Sequence, residues 1–120
     1  MKKNTTKALS VSIMCADLLN LEHELQTFQA LKVEMIHIDV MDAHFVPNLT
    51  FGPDFINAMR KKSSLVFDTH LMMTNPMTVL EKIDIQAGDF VTVHAEILPE
   101  EILRVHEFVR RKGGKLGLAI

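Results

Sequence analysis

Two short patterns in this chain carry chemistry: His37-x-Asp39 and Asp68-x-His70, each set in an otherwise apolar run. Successive side chains of a strand point to opposite faces, so His37, Asp39 and Met41 share one face while Ile36, Ile38 and Val40 share the other. Placing an imidazole beside a carboxylate inside a fold costs several kcal/mol unless a metal, a proton or a hydrogen bond offsets it. Two histidines and one aspartate are ordinary ligands for zinc or another first-row divalent metal, which makes His37, Asp39 and His70 candidate metal ligands. Asp68 lies one pleat deeper and is placed to orient a ligand from outside the metal's own shell. Two hydrogen-bonded core pairs without metal are the competing reading, and the matching positions of the two patterns favour the metal.

Other residues are more equivocal. Ser12 falls at the end of the first apolar run and, taken alone, reads as a hydrogen-bonded strand filler. His94-x-Glu96 repeats the two-residue spacing on a later run, where a site role and a strand end emerging into solvent are equally consistent with the sequence. Met41 and Met72 sit one residue pair beyond the two patterns, either as a soft apolar cap over a reaction centre or as core packing. Cys15 has no basic neighbour to lower its pKa and reads as inert. His23 and His106 read as solvated. The segment Asp42 to Pro53 is longer than a usual βα connection, and long loops at that position tend to be functional.

The elements that must position these residues follow from periodicity. Apolar runs at 8–14, 35–41, 65–72, 90–95 and from Leu116 alternate with amphipathic segments at a spacing of roughly 25–28 residues, as βαβ units do. Leu18, Leu21, Leu25, Phe28 and Leu31 make the stripe of a first helix that Asn20 is placed to cap. The second helix starts at Pro53-Asp54 and ends in Arg60-Lys61-Lys62, charges that suit the helix dipole. The third starts at Asn75-Pro76 with Met77, Leu80 and Ile83 as its stripe. The fourth starts at Pro99 and closes before Gly113-Gly114. Alternating strands and helices imply an α/β fold with a parallel sheet, open or closed. The turn after the first strand, Met14-Cys15-Ala16-Asp17, has no glycine and argues against a dinucleotide fold. Polar residues at the C-terminal ends of several strands favour a barrel.

Composition excludes several classes. The 120 residues are 48% hydrophobic and 23% charged with a formal charge of −2, the profile of one soluble globular domain, residues 1–120. That charge gives no electrostatic case for nucleic acid or anionic membrane as a partner. No apolar run approaches the roughly 20 residues of a membrane span, and the basic start has no h-region after it. One cysteine forms no internal disulfide, so a cytoplasmic location is expected.

The strings Ser12-Ile13-Met14-Cys15-Ala16-Asp17, His37-Ile38-Asp39-Val40-Met41-Asp42-Ala43-His44-Phe45-Val46-Pro47-Asn48 and Asp68-Thr69-His70-Leu71-Met72 resemble the ribulose-phosphate 3-epimerase family. The likeness continues through His94-Ala95-Glu96 to Lys115-Leu116-Gly117-Leu118-Ala119-Ile120. It implies a TIM-type (β/α)₈ barrel of the ribulose-phosphate-binding type, of which about the first four and a half β/α units are present. It further implies an isomerase of the pentose phosphate pathway that interconverts D-ribulose 5-phosphate and D-xylulose 5-phosphate by two-base proton transfer at C3 through an enediolate. By this resemblance His37, Asp39 and His70 hold a divalent metal, zinc first, with iron, manganese or cobalt as alternatives. Asp39 is also the catalytic proton acceptor and donor, Ser12 and His70 contact the sugar phosphate, and Met41 and Met72 form the sulfur cap against it. A homo-oligomer is expected.

The sequence also departs from the family. By the same resemblance, the second catalytic acid, which is the fourth metal ligand, and the phosphate loops are expected in the other half of the barrel. The expectation is therefore that 120 residues alone are poorly soluble or oligomeric and turn over no substrate, a prediction that measurable turnover would overturn. Val11 replaces the usual proline, Cys15 a serine or asparagine, and Ala43 a glycine or asparagine. A positive φ at Ala43 would cost about 1 kcal/mol. Met14-Cys15 and Asp17-Leu18-Leu19 are similar to the allulose-6-phosphate 3-epimerases, leaving a six-carbon substrate as an alternative. A truncated, non-catalytic half-barrel that keeps a partial metal site is the alternative of another class.

Overall fold

The computed structural model describes residues 7–120. Five strands form one parallel sheet in sequence order: β1 (Ser10–Ser12), β2 (Met35–Met41), β3 (Val66–Met72), β4 (Phe90–His94) and β5 (Lys115–Ala119). Between them run α1 (Leu21–Ala30), α2 (Pro53–Arg60), the single turn α3 (Met77–Leu80) and α4 (Pro99–Arg111). Consecutive parallel neighbours joined by helices are the β/α units of a TIM-type barrel, over part of its circumference.

Each strand divides its residues between two faces. On β2, Ile36, Ile38 and Val40 are buried against the helices, whereas Met35, His37, Asp39 and Met41 are half-buried on the opposite face. Phe67 and Leu71 of β3 and Val91 and Val93 of β4 continue the apolar layer, which meets Leu25, Ile56, Leu80, Val105 and Val109 of the helices. Each such side chain contributes about 1.5–3 kcal/mol by leaving water. One pleat of the sheet therefore builds the core and the other is left for polar residues.

Several local readings need correction. The first strand is shorter than 8–14, because Ser12 caps a 3₁₀ turn at Ile13–Cys15 and takes Met14 off the sheet. Asn20 makes no side-chain cap bond; Asp17 caps a 3₁₀ turn at Leu18–Asn20 instead. Of the α1 stripe, Leu21 and Leu25 are buried and Phe28 packs against the core, but Leu18 and Leu31 are exposed. The Met77, Leu80, Ile83 stripe is buried as expected, although the helix lasts one turn and Ile83 packs from the coil beyond it. Lys32 takes the left-handed conformation after α1 (φ 57°), where glycine is the unstrained choice.

Arg60 does more than complement a dipole. Its guanidinium is buried in an ion pair with Asp89, lies 3.5 Å from the Phe67 ring centroid and donates to the Leu65 carbonyl at 3.2 Å. Asp89 also accepts from the backbone N–H groups of Phe67 and Gln86, each at 2.9 Å. This pair ties the end of α2 to the N-terminal ends of β3 and β4.

Candidate metal centre

The site grows from the register of the two central strands. His37 pairs with Asp68, Asp39 with His70, and Met41 with Met72 across the β2–β3 ladder, so the two patterns interleave with opposite order. Because these positions fall on the polar pleat, the side chains converge. His37 Nε2 and His70 Nδ1 each lie 3.0 Å from the same oxygen, Asp39 Oδ1. His37, Asp39 and His70 each offer one ligand atom to a group whose members all lie within 4.8 Å of one another. That set of two imidazoles and one carboxylate fits a first-row divalent cation and could hold one.

The outer contacts are ordered as well. Asp68 Oδ2 lies 2.8 Å from His37 Nδ1 and accepts from Ser10 Oγ at 2.9 Å. Asp68 thus occupies the orienting position behind a ligand that the sequence suggests. Burial opposes a charge on the His37 imidazole, but the Asp68 hydrogen bond and the Asp39 and Asp68 charges outweigh it and hold its pKa above the ordinary 6.5.

His94 is drawn in where the sequence leaves it open. Its Nε2 lies 2.7 Å from His70 Nε2, the two rings meet edge to edge with near-parallel planes and centroids 4.9 Å apart, and the Phe45 ring lies against His94 with centroids 4.9 Å apart. Glu96 Oε2 is 3.4 Å from His94 Nδ1. A contiguous polar line therefore runs Ser10, Asp68, His37, Asp39, His70, His94, Glu96 across the face of the sheet. Ser10 was not singled out by the sequence; it shares a face with Ser12, and the two-residue spacing was the available cue.

The remaining candidates are placed as follows. Ser12 lies level with His37 on β1, its Oγ accepting from Met14 N at 3.4 Å. Met41 is half-buried and Met72 buried, one residue pair beyond Asp39 and His70 toward the C-terminal ends of the strands. Cys15, His23, His44 and His106 are exposed.

The long connection after β2 is tied back to the strand that bears Asp39. Thr50 Oγ1 donates to the Asp39 carbonyl at 2.6 Å and accepts from Met41 N at 3.0 Å, and Asp42 bridges to Leu49. Ala43 has a φ of 62°, the left-handed conformation that the sequence flags as costly for alanine. Burial works against the Asp42 carboxylate, but the backbone N–H groups of His44 and Phe45 bond it and hold its pKa below the ordinary 3.8.

Comparison with known proteins agrees along the chain. Residues 8–120 match the profile of the Ribulose-phosphate 3 epimerase family. The ribulose-phosphate 3-epimerase of Treponema pallidum (strain Nichols) is 39% identical over 113 residues, which cover 93% of this chain and 51% of the relative. That of Rhodobacter capsulatus is 42% identical over 113 residues, 93% and 49% of the two chains. The cytoplasmic isoform of Oryza sativa subsp. japonica is 31% identical over 112 residues, again 93% and 49%. The chain spans about half the length of the curated relatives it matches. No helix among the described residues is long and apolar enough to cross a membrane.

Proposed function

Starting from the fact that the chain belongs to the ribulose-phosphate 3-epimerase family, we propose that it supplies the metal ligands and one acid/base group for epimerisation at C3 of D-ribulose 5-phosphate. The observation that carries this reading is the convergence of His37 Nε2 and His70 Nδ1 on Asp39 Oδ1. A divalent metal held by His37, Asp39 and His70, zinc first among the candidates, would supply Lewis-acid polarisation of the ketose.

Asp39 removes the C3 proton and returns it. Both histidine contacts use Oδ1, so Oδ2 is the oxygen assigned to proton transfer. His37 and His70 hold the carboxylate at one angle through Oδ1. Met41 and Met72 exclude water above the reacting carbon, and Ser12 and His70 contact the sugar phosphate. A single carboxylate returns the proton only to the face it left, so inversion needs an opposed acid. That acid is assigned to the part of the relatives' length that this chain does not span. The names of the relatives favour a pentulose over a hexulose phosphate. Homo-oligomeric assembly and a cytoplasmic site of action belong to the same proposal.

The test is solvent-deuterium exchange at C3 of ribulose 5-phosphate, which needs the one base and not the opposed acid of net epimerisation, with the zinc-loaded protein, beside zinc stoichiometry. One zinc per chain, lost in His37→Ala, and exchange lost in Asp39→Asn are expected. Exchange retained in Asp39→Asn overturns the assignment of the base, and a chain that takes up no zinc overturns the metal site.

A further inference from the structure

The ring nitrogens of the histidine pair on β3 and β4 fix where protons sit, and the assignment depends on whether a metal is bound. Without metal, Asp39 Oδ1 accepts from His70 Nδ1–H at 3.0 Å. His70 Nε2 is then the bare nitrogen, and at 2.7 Å it accepts from His94 Nε2–H. A metal ligand must present a lone pair, and the nitrogen of His70 that faces Asp39 is Nδ1. Once Nδ1 is a ligand, the neutral ring carries its proton on Nε2 and becomes the donor to His94. His94 Nε2 must then be bare, and its proton sits on Nδ1, 3.4 Å from the Glu96 carboxylate.

Resting on the metal site proposed above, we infer that His94 is a positioning residue whose tautomer reverses when the metal binds, and that it holds His70 in its ligating orientation. The protons balance over the two rings, two before and two after. One leaves His70 Nδ1 for solvent, one passes from His94 Nε2 to His70 Nε2, and one is taken up from solvent at His94 Nδ1. Phe45, packed on the His94 ring, keeps that ring from rotating away from its partner. His37 has the equivalent support from Asp68, so each ligating imidazole has its far nitrogen held, one by a carboxylate and one by a second imidazole. The difference matters. A carboxylate accepts whatever the metal state, whereas His94 can donate or accept and so suits both.

Long-range proton–nitrogen correlation spectra of the full chain, labelled at histidine and recorded in mildly alkaline buffer with and without zinc alone, read this directly. The His94 proton is expected on Nε2 without zinc and on Nδ1 with it. In chelator competition His94→Phe should weaken zinc binding about 10–100-fold. His94→Gln, whose amide oxygen accepts where Nε2 did, should restore it to within about threefold. Zinc bound with an unchanged His94 tautomer, zinc bound directly to His94, or equal affinity in all three proteins overturns the relay and leaves the three-ligand site standing. A chain that binds no zinc overturns both.

Discussion

Among the described residues two carboxylate-centred clusters are built on opposite rules. At the N-terminal ends of the strands, the Arg60 and Asp89 side chains are 6% and 2% exposed, and both oxygens of Asp89 are taken by backbone N–H groups as well as by the guanidinium. On the polar pleat, the side chains of His37, Asp39, Asp68 and His70 keep 28%, 18%, 21% and 20% of their surface. There one oxygen of Asp39 serves two imidazoles, and His37 lies between two carboxylates. A cluster that holds the fold together saturates its acceptors with groups that cannot titrate. The one that could hold a cation leaves lone pairs shared among imidazoles and carboxylates. The distinction lies in the partners, since the residue types alone would allow either role.

Removing one member from each cluster is the sharpest way to break this contrast. Asp89→Ala strands a buried guanidinium and two backbone donors, and should cost about 3–5 kcal/mol in urea unfolding. A loss below about 1 kcal/mol would place Arg60 in water and erase the comparison. Asp68→Asn should behave oppositely: zinc affinity falls about 10–100-fold in chelator competition while the urea midpoint hardly moves. Ala43→Gly relieves the left-handed backbone beside the site and should stabilise the chain by about 1 kcal/mol by the same assay. An unchanged midpoint would mean the loop relaxes without strain.

The smallest effect is the pH dependence of the metal-free chain, where two groups act with opposite sign. Asp42 has a lowered pKa, so its contribution is present above 3.8 and is lost as pH falls through the lower folded value. His37 has a raised pKa, so its contribution is fully present below 6.5 and is lost as pH rises through the higher folded value. Urea midpoints across pH should fall at both ends. Asp42→Ala should flatten only the acid arm and His37→Gln only the alkaline one, and a swap of arms would show that either environment is misread.

Much of this was legible in the residues. The alternation in Met35–Met41 gives both the strand and the division of its faces, and Pro53 and Pro99 mark helix starts because a missing N–H is harmless there. The two His/Asp patterns are legible for the same reason, since polar residues in a buried strand need partners. What stays hidden depends on distant contacts. Asp89, in Ala87-Gly88-Asp89, looks like a loop acid until Arg60 arrives 29 residues away in sequence. His94-x-Glu96 stays open between a site role and a strand end because the decisive neighbour, His70, is on another strand. Local competition hides the rest: a serine that caps a turn shortens β1, and the third helix stops after one turn although its apolar stripe continues into coil.

The division of β2 into two pleats has an evolutionary consequence. Ile36, Ile38 and Val40 answer to packing alone, so the chain can exchange the residues between them without negotiating with its core. Drift in chemistry and drift in folding are thereby uncoupled within one seven-residue segment. A descendant of this sequence could change the polar character of this face by changing alternate letters, while the intervening letters keep the same architecture in place.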